Sequence, residues 1–249
     1  MYYDVVILGA TSAALGVASE LKQRHKILII NKTSMVAYEF INAYKVGVNW
    51  DRDPETELSK DIKRELIKEG IISCEKTHIY SAGPLFYKFF KDLDVDILLE
   101  TEIISVQKEE CDYRISVFNI GGHKTIKANY IIDTTEQQAG IESKSLNCLV
   151  VNKKKDEFPS VEMDEIEIYR EADKIINTAV MKYKCPLDFT LYKARHELIE
   201  KWKNRPKEAI DWKIAAIGLC FDVVPQAGFK QVDNLHIALP SAYYDNPLA

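Results

Sequence analysis

The opening stretch VVILGATSAALGVASELKQRHKILIINK, residues 5–32, constrains this chain more than any other. Residues 3–8 (YDVVIL) are apolar and β-branched, as a strand buried on both faces requires. Gly9 breaks the run. From Ser12 to about Arg24 the apolar spacing becomes helical. Ala13, Ala14, Val17, Ala18 and Leu21 share one face, while Glu20, Lys22, Gln23 and Arg24 point outward. Residues 27–30 (ILII) predict a second buried strand. Strand, tight turn, helix and parallel strand make a βαβ unit, whose crossover is almost always right-handed.

The turn Gly9-Ala10-Thr11-Ser12-Ala13-Ala14 is a G-x-T-x-x-A form of G-x-G-x-x-G. In such a turn the first glycine makes the bend. The second lets backbone approach a pyrophosphate, and the third lets helix meet strand. Gly9 fills the first role and the methyl of Ala14 suits the third. Thr11 takes up room at the second but brings a hydroxyl donor. Gly9, Ala10, Thr11, Ser12 and Ala13 are therefore the expected cofactor-binding residues, at a helix N-terminus with free N–H groups and a positive dipole end. Asn31 stands where an acidic residue usually grips the ribose. Lys32 beside it suits a 2′-phosphate, so NAD(P) stays open as an alternative. A close-packed turn that binds nothing also stays open.

Other functions are less well supported. The chain has 249 residues and a net charge of −5, with no basic block of the kind nucleic acid needs. Five scattered cysteines without a CxxC spacing signal neither a zinc site nor a disulfide framework, so no metal is expected. No leader precedes the first strand and no apolar run reaches membrane length, so the expectation is a cytoplasmic protein.

Further along, residues 54–69 predict an exposed helix. Ser81-Ala82-Gly83-Pro84 marks another helix start. Strands are expected at 95–99, 102–108, 112–118 and 124–127, with Gly121-Gly122 turning the last hairpin, and a buried strand follows at 130–133. In 141–211, SLNCLVV and EIEIYR predict strands, and helices are expected near 171–182 and 187–203. The organisation expected is a discontinuous dinucleotide-binding domain, 1–140 plus 212–249, with an inserted α+β substrate or cap domain, 141–211.

The order of βαβ fingerprint, helix, VDILLETEIISV (95–106), β-meander and A-x-Y-I-I-D-T-T (128–135) resembles the FAD-dependent oxidoreductases of the glutathione-reductase-like superfamily, and within them the FAD-oxidoreductase group. The resemblance implies an α/β fold with a Rossmann-like FAD/NAD(P)-binding domain, FAD as cofactor and a small-molecule substrate. It puts Ile103 near the adenine and Thr134 and Thr135 in a turn beside the cofactor. It also makes Glu39, Asn42 and Tyr44, in the segment 35–50, flavin-facing candidates. It names no catalytic residue. Two departures stand out: Asn31, and Leu239-Pro240 where the resemblance leads one to expect Gly-Asp. Only SAYYDNPLA follows, so the resemblance implies an open site covered by a second copy or a partner subunit through Tyr243, Tyr244 and Leu248. Two rival readings are a thiazole-synthase-like, adenylate-binding enzyme and a cofactor-poor or non-catalytic subunit on the same fold.

Overall fold

The computed structural model describes residues 1–73, 77–154, 158–170 and 178–248. The βαβ unit forms as the apolar periodicity dictates. β1 (Tyr2–Leu8), α1 (Ser12–Leu21) and β2 (Ile27–Ile30) follow in order, with Val5 opposite Ile27 and Leu8 opposite Ile30 in parallel register. α2 (Tyr38–Ile41) is a single turn, whereas α3 (Glu57–Lys68) and α4 (Gly83–Asp92) are amphipathic helices. Thr56 caps α3 by accepting from Ser59 N–H, and Pro84 sits in the first turn of α4, where no N–H is needed.

β3 (Asp96–Leu98) extends the sheet beyond β2. β4 (Glu102–Lys108), β5 (Tyr113–Asn119) and β6 (Gly122–Asp133) then form the antiparallel meander. The two strands expected at 124–127 and 130–133 are one strand of 12 residues. No proline or internal glycine interrupts it, so it pairs with β5 along its first part and runs parallel to β1 as far as Asp133. The helices cover one face of the sheet over Val5, Ile7, Leu15, Phe40, Leu66 and Phe86. The meander closes the other face over Val6, Leu8, Leu28, Ile115 and Ile126.

A second sheet of five strands follows. β7 (Ile141–Asn152), β8 (Ile166–Arg170) and β9 (Thr178–Cys185) are antiparallel neighbours, and α5 (Leu191–Lys203) buries Ala194, Leu198 and Trp202 against them. The helix expected near 171–182 is not found at 178–182, which belong to β9; residues 171–177 lie outside the described residues. Sandwiched between β7 and β8, residues 178–182 bury Ala179, Val180 and Met181, and this packing overrides local preference.

β10 (Trp212–Ile217) and β11 (Asp222–Pro225) also pair with β7. The second sheet therefore runs to residue 225, past the boundary expected at 211. Trp212 anchors this extension, 2% exposed, with its ring 4.7 Å from that of Phe158. The chain returns to the first sheet only with β12 (Lys230–Asp233) and β13 (His236–Ala238), the latter parallel to β6.

Beyond β13 the chain folds back on its own first layer. Leu239 N–H donates to Asp133 O, Ser241 N–H donates to Thr134 O, and Leu248 joins the core under the helices. Leu248 is thus not available as the lid contact expected of it. Tyr243 stays 52% exposed and Tyr244 is half-buried. Among the described residues no helix is long and apolar enough to cross a membrane, and no cluster of His, Cys, Asp and Glu could hold a metal ion.

Candidate functional site

The site is built where β1 hands over to α1. Gly9 has φ +91°, and a Cβ there would lie 3.0 Å from Thr134 Oγ and from a Thr135 methyl, so only glycine makes this bend without strain. Thr11 is the N-cap of α1. Its hydroxyl accepts from Ala14 N–H at 3.2 Å and donates to Thr134 Oγ at 2.7 Å, and Thr134 in turn donates to Leu8 O. The hydroxyl expected to reach a phosphate is instead buried and engaged in tying β6 to the turn.

The N–H groups of Gly9 and Ala10 also have partners within the chain. Gly9 N–H donates to Ile30 O, and Ala10 N–H donates to Asn31 Oδ1 at 3.1 Å. Asn31 is buried, and its amide nitrogen donates to Thr33 O, Thr33 Oγ and Met35 O. Its donors and acceptor therefore brace the turn against the segment after β2. Lys32 lies in solvent, paired with Glu102 at 2.9 Å. Ile103 sits on β4, packed against the meander-side core. Thr135 donates to Asp133 Oδ1 through both its N–H and its hydroxyl.

At the first turn of α1 stands a carboxylate. Glu39 Oε1 accepts from Ser12 N–H at 2.7 Å, Ser12 Oγ–H at 2.8 Å and Ser241 Oγ–H at 2.7 Å. Ser241 Oγ also accepts from Ala13 N–H at 3.2 Å. These are the amides at a helix start that would face an anion. Glu39 comes from α2, which follows Ala37 in the left-handed region at φ 48°, with Ala37 N–H donating to Ala10 O at 2.7 Å. Such backbone costs a non-glycine residue roughly 1–2 kcal/mol, and here it turns α2 back onto α1. Glu39 is 4% exposed, and its Oε2 is buried without a hydrogen-bond partner. Burial raises its carboxyl above the ordinary range, opposed by the hydrogen bonds from Ser12 and Ser241.

The two other flavin-facing candidates lie farther along the same segment. Asn42 gives its carbonyl to Leu219 N–H. Tyr44, also left-handed at φ 51°, gives its carbonyl to Asn147 and sets its ring edge-on to Tyr80.

Next to Glu39 is a group of charges that sequence reasoning missed. Glu136 follows β6; burial first, and the charge of Glu39 second, lift its carboxyl to about 7. Lys45 donates to Ala242 O at 2.6 Å and approaches Asp222 Oδ1 at 3.9 Å. Asp222 Oδ2 accepts from Lys182 at 2.9 Å and from Asn147 at 3.2 Å. Burial lowers Lys45, with Asp222 opposing. Burial also works against the charge of Lys182, yet Asp222 holds that ammonium above its ordinary value. This network lines a cavity of about 250 Å³ between the second sheet and the C-terminal segment. A larger cavity, about 660 Å³, opens along α1 between α3 and the same segment, with Ser12 and Ala13 in its lining. One sequence signal was available for Asp222: a lone charge inside the apolar run FDVV. Ser241 carried no signal, because its role depends on where β13 ends.

The residues at the α1 start suit an anion, since Ser12 N–H, Ser12 Oγ and Ser241 Oγ already donate to one carboxyl oxygen. The fit to a dinucleotide is conditional. Its pyrophosphate needs Ser12 N–H and Ala13 N–H, both engaged by Glu39 and Ser241, and Asn31 has no free group for a ribose.

No family model matches the chain, and no curated protein matches it. Solved structures do. The p-nitrophenol 4-monooxygenase PnpA from Pseudomonas putida DLL-E4 superposes with a TM-score of 0.62 at 12% identity, over 99% of this chain and 74% of its own. A flavoprotein/dehydrogenase from Cytophaga hutchinsonii gives 0.53 at 14% identity, over 97% and 71%. An aklavinone-11 hydroxylase, solved with FAD and aklavinone, gives 0.60 at 10% identity, over 96% of this chain and 57% of its own. This chain, spanning between about half and three quarters of their lengths, has the mixed α/β fold of these flavoproteins.

Proposed function

We propose that the chain is a FAD-dependent oxidoreductase acting on a small molecule, built as the glutathione-reductase-like flavoproteins are. Residues 1–140 and the returning C-terminal strands carry the nucleotide, and the second sheet serves as the substrate or cap region. One observation carries the reading: donors gather at the start of α1, with Ser12 N–H, Ser12 Oγ and Ser241 Oγ directed at the Glu39 carboxyl and Ala13 N–H held by Ser241 Oγ. The fold similarity supports FAD as the anion's source, because the aklavinone hydroxylase of this fold was solved with it. FAD, when bound, supplies the redox chemistry. The chain's own part is to hold the pyrophosphate on those four donors, to brace the turn through Asn31, and to enclose a substrate beside Lys45, Lys182 and Asp222. No side chain is assigned a catalytic role.

A titration of FAD with the full chain tests this. Quenching of flavin fluorescence to a saturable end point, with FAD recovered after denaturation, is the expected result. Saturable binding of NADP or adenylate with none of FAD would replace the cofactor. The Glu39 contact favours a second reading, a cofactor-free subunit on this fold; no binding of any of the three nucleotides would support it.

A further inference from the structure

We propose that Glu39 is an internal stand-in for the nucleotide's pyrophosphate, holding the cradle closed until an external anion displaces it. The inference rests on reading the α1 start as the dinucleotide site. α1 already has a local N-cap in Thr11, which satisfies Ala14 N–H, and its first turn contains no acidic residue. The anion that complements this helix end comes instead from α2, 27 residues away in sequence, assisted by Ser241, 229 residues away. A carboxylate there gains from the helix dipole and from three charge-assisted hydrogen bonds to one oxygen.

The same contact is incomplete. Oε2 is buried with no donor, and an unsatisfied buried charged atom carries a desolvation cost. A phosphate presents several oxygens, so that these donors can be met by separate ones. Glu39 therefore keeps the ligand-free chain folded yet gives way to a better anion. A pyrophosphate entering the cradle takes Ser12 N–H from Glu39 and Ala13 N–H from Ser241 Oγ, and the Glu39 side chain leaves the helix start.

The test uses inorganic pyrophosphate and FAD as separate probes, titrated by calorimetry into the full chain, Glu39→Ala and Glu39→Gln. Circular dichroism checks that each variant folds. The expected result is pyrophosphate binding at least about tenfold tighter in both variants than in the parent, since charged partners hold a donor about twice as strongly as neutral ones. Should Glu39→Ala fail to fold, Glu39→Gln decides alone, because it keeps an acceptor oxygen and drops the charge. Tighter pyrophosphate binding without any FAD binding keeps the inference and removes the flavin reading. Equal FAD and pyrophosphate affinities in parent and variants overturn the inference, and saturable FAD binding in that case leaves the flavin reading standing.

Discussion

Glu39 Oε1 lies 2.7 Å from the backbone nitrogen of Ser12. That contact joins α2 to the first turn of α1 and sets a carboxyl oxygen against the helix N-terminus. It accounts for a helix start with no acidic residue of its own. It also explains why Ser241, beyond the last strand, is buried at 0% exposure, because its hydroxyl links Ala13 N–H to the same carboxylate.

Ser241→Ala should therefore destabilise the chain by about 1–2 kcal/mol, since it removes a donor to a buried carboxylate and the acceptor of Ala13 N–H. Urea unfolding measures this through the midpoint at constant slope. An unchanged midpoint would show that the hydroxyl does not hold the carboxylate.

Glu136 makes stability depend on pH. Its carboxyl is lifted from the ordinary 4.5 to about 7 in the folded chain, by burial and then by Glu39. The native state thus binds a proton the unfolded state has lost. This contribution to stability is complete below about 4.5 and disappears as pH rises through about 7. Glu136→Gln should remove that slope, so that relative to the parent it gains on the order of 2 kcal/mol between pH 4.5 and pH 8. Parallel stability curves for the two proteins across this range would count against the placement of Glu136.

Asp222 is 4% exposed and pairs with Lys182, with Lys45 close by. Asp222→Ala leaves two half-buried ammoniums without their anion and should cost up to about 3 kcal/mol, the low end for a broken buried pair. Lys182→Met together with Asp222→Leu should recover much of that loss, because an apolar replacement for a buried ion pair is often near neutral. A double variant no better than the single one would argue that the pair does more than satisfy itself.

Gly9→Ala should destabilise the chain by at least about 1 kcal/mol, since L side chains rarely adopt φ +91° and the new Cβ meets Thr134 and Thr135 at 3.0 Å. Thermal unfolding reads the loss, and a variant as stable as the parent contradicts the turn geometry. Enlarging Gly9 therefore disturbs the fold as well as any ligand, which makes Glu39 the cleaner position for probing the cradle.

The βαβ unit was legible because its signal is local: a buried strand, a glycine with positive φ, and helical spacing of alanines. The meander was legible too, apart from β6, whose two halves pair on different sides of one strand. Residues 178–182 were misread because their strand character comes from β7 and β8 on either side. That the second sheet continues past 211 was not legible for a similar reason, since β10 and β11 are placed by an edge of β7. In the site, Gly9 and Ser12 could be named from the turn alone. The meeting of Glu39 with Ser12 and Ser241 could not, because it depends on the left-handed Ala37 and on where β13 ends.

The most direct measurement follows the Glu39 carboxyl carbon and the Ser12 amide by NMR while FAD is added to the parent chain. The account predicts that both resonances move together, with the midpoint of FAD binding, as the carboxylate leaves the helix start and phosphate takes its place. Saturable FAD binding that leaves both resonances where they were in the free chain would contradict it.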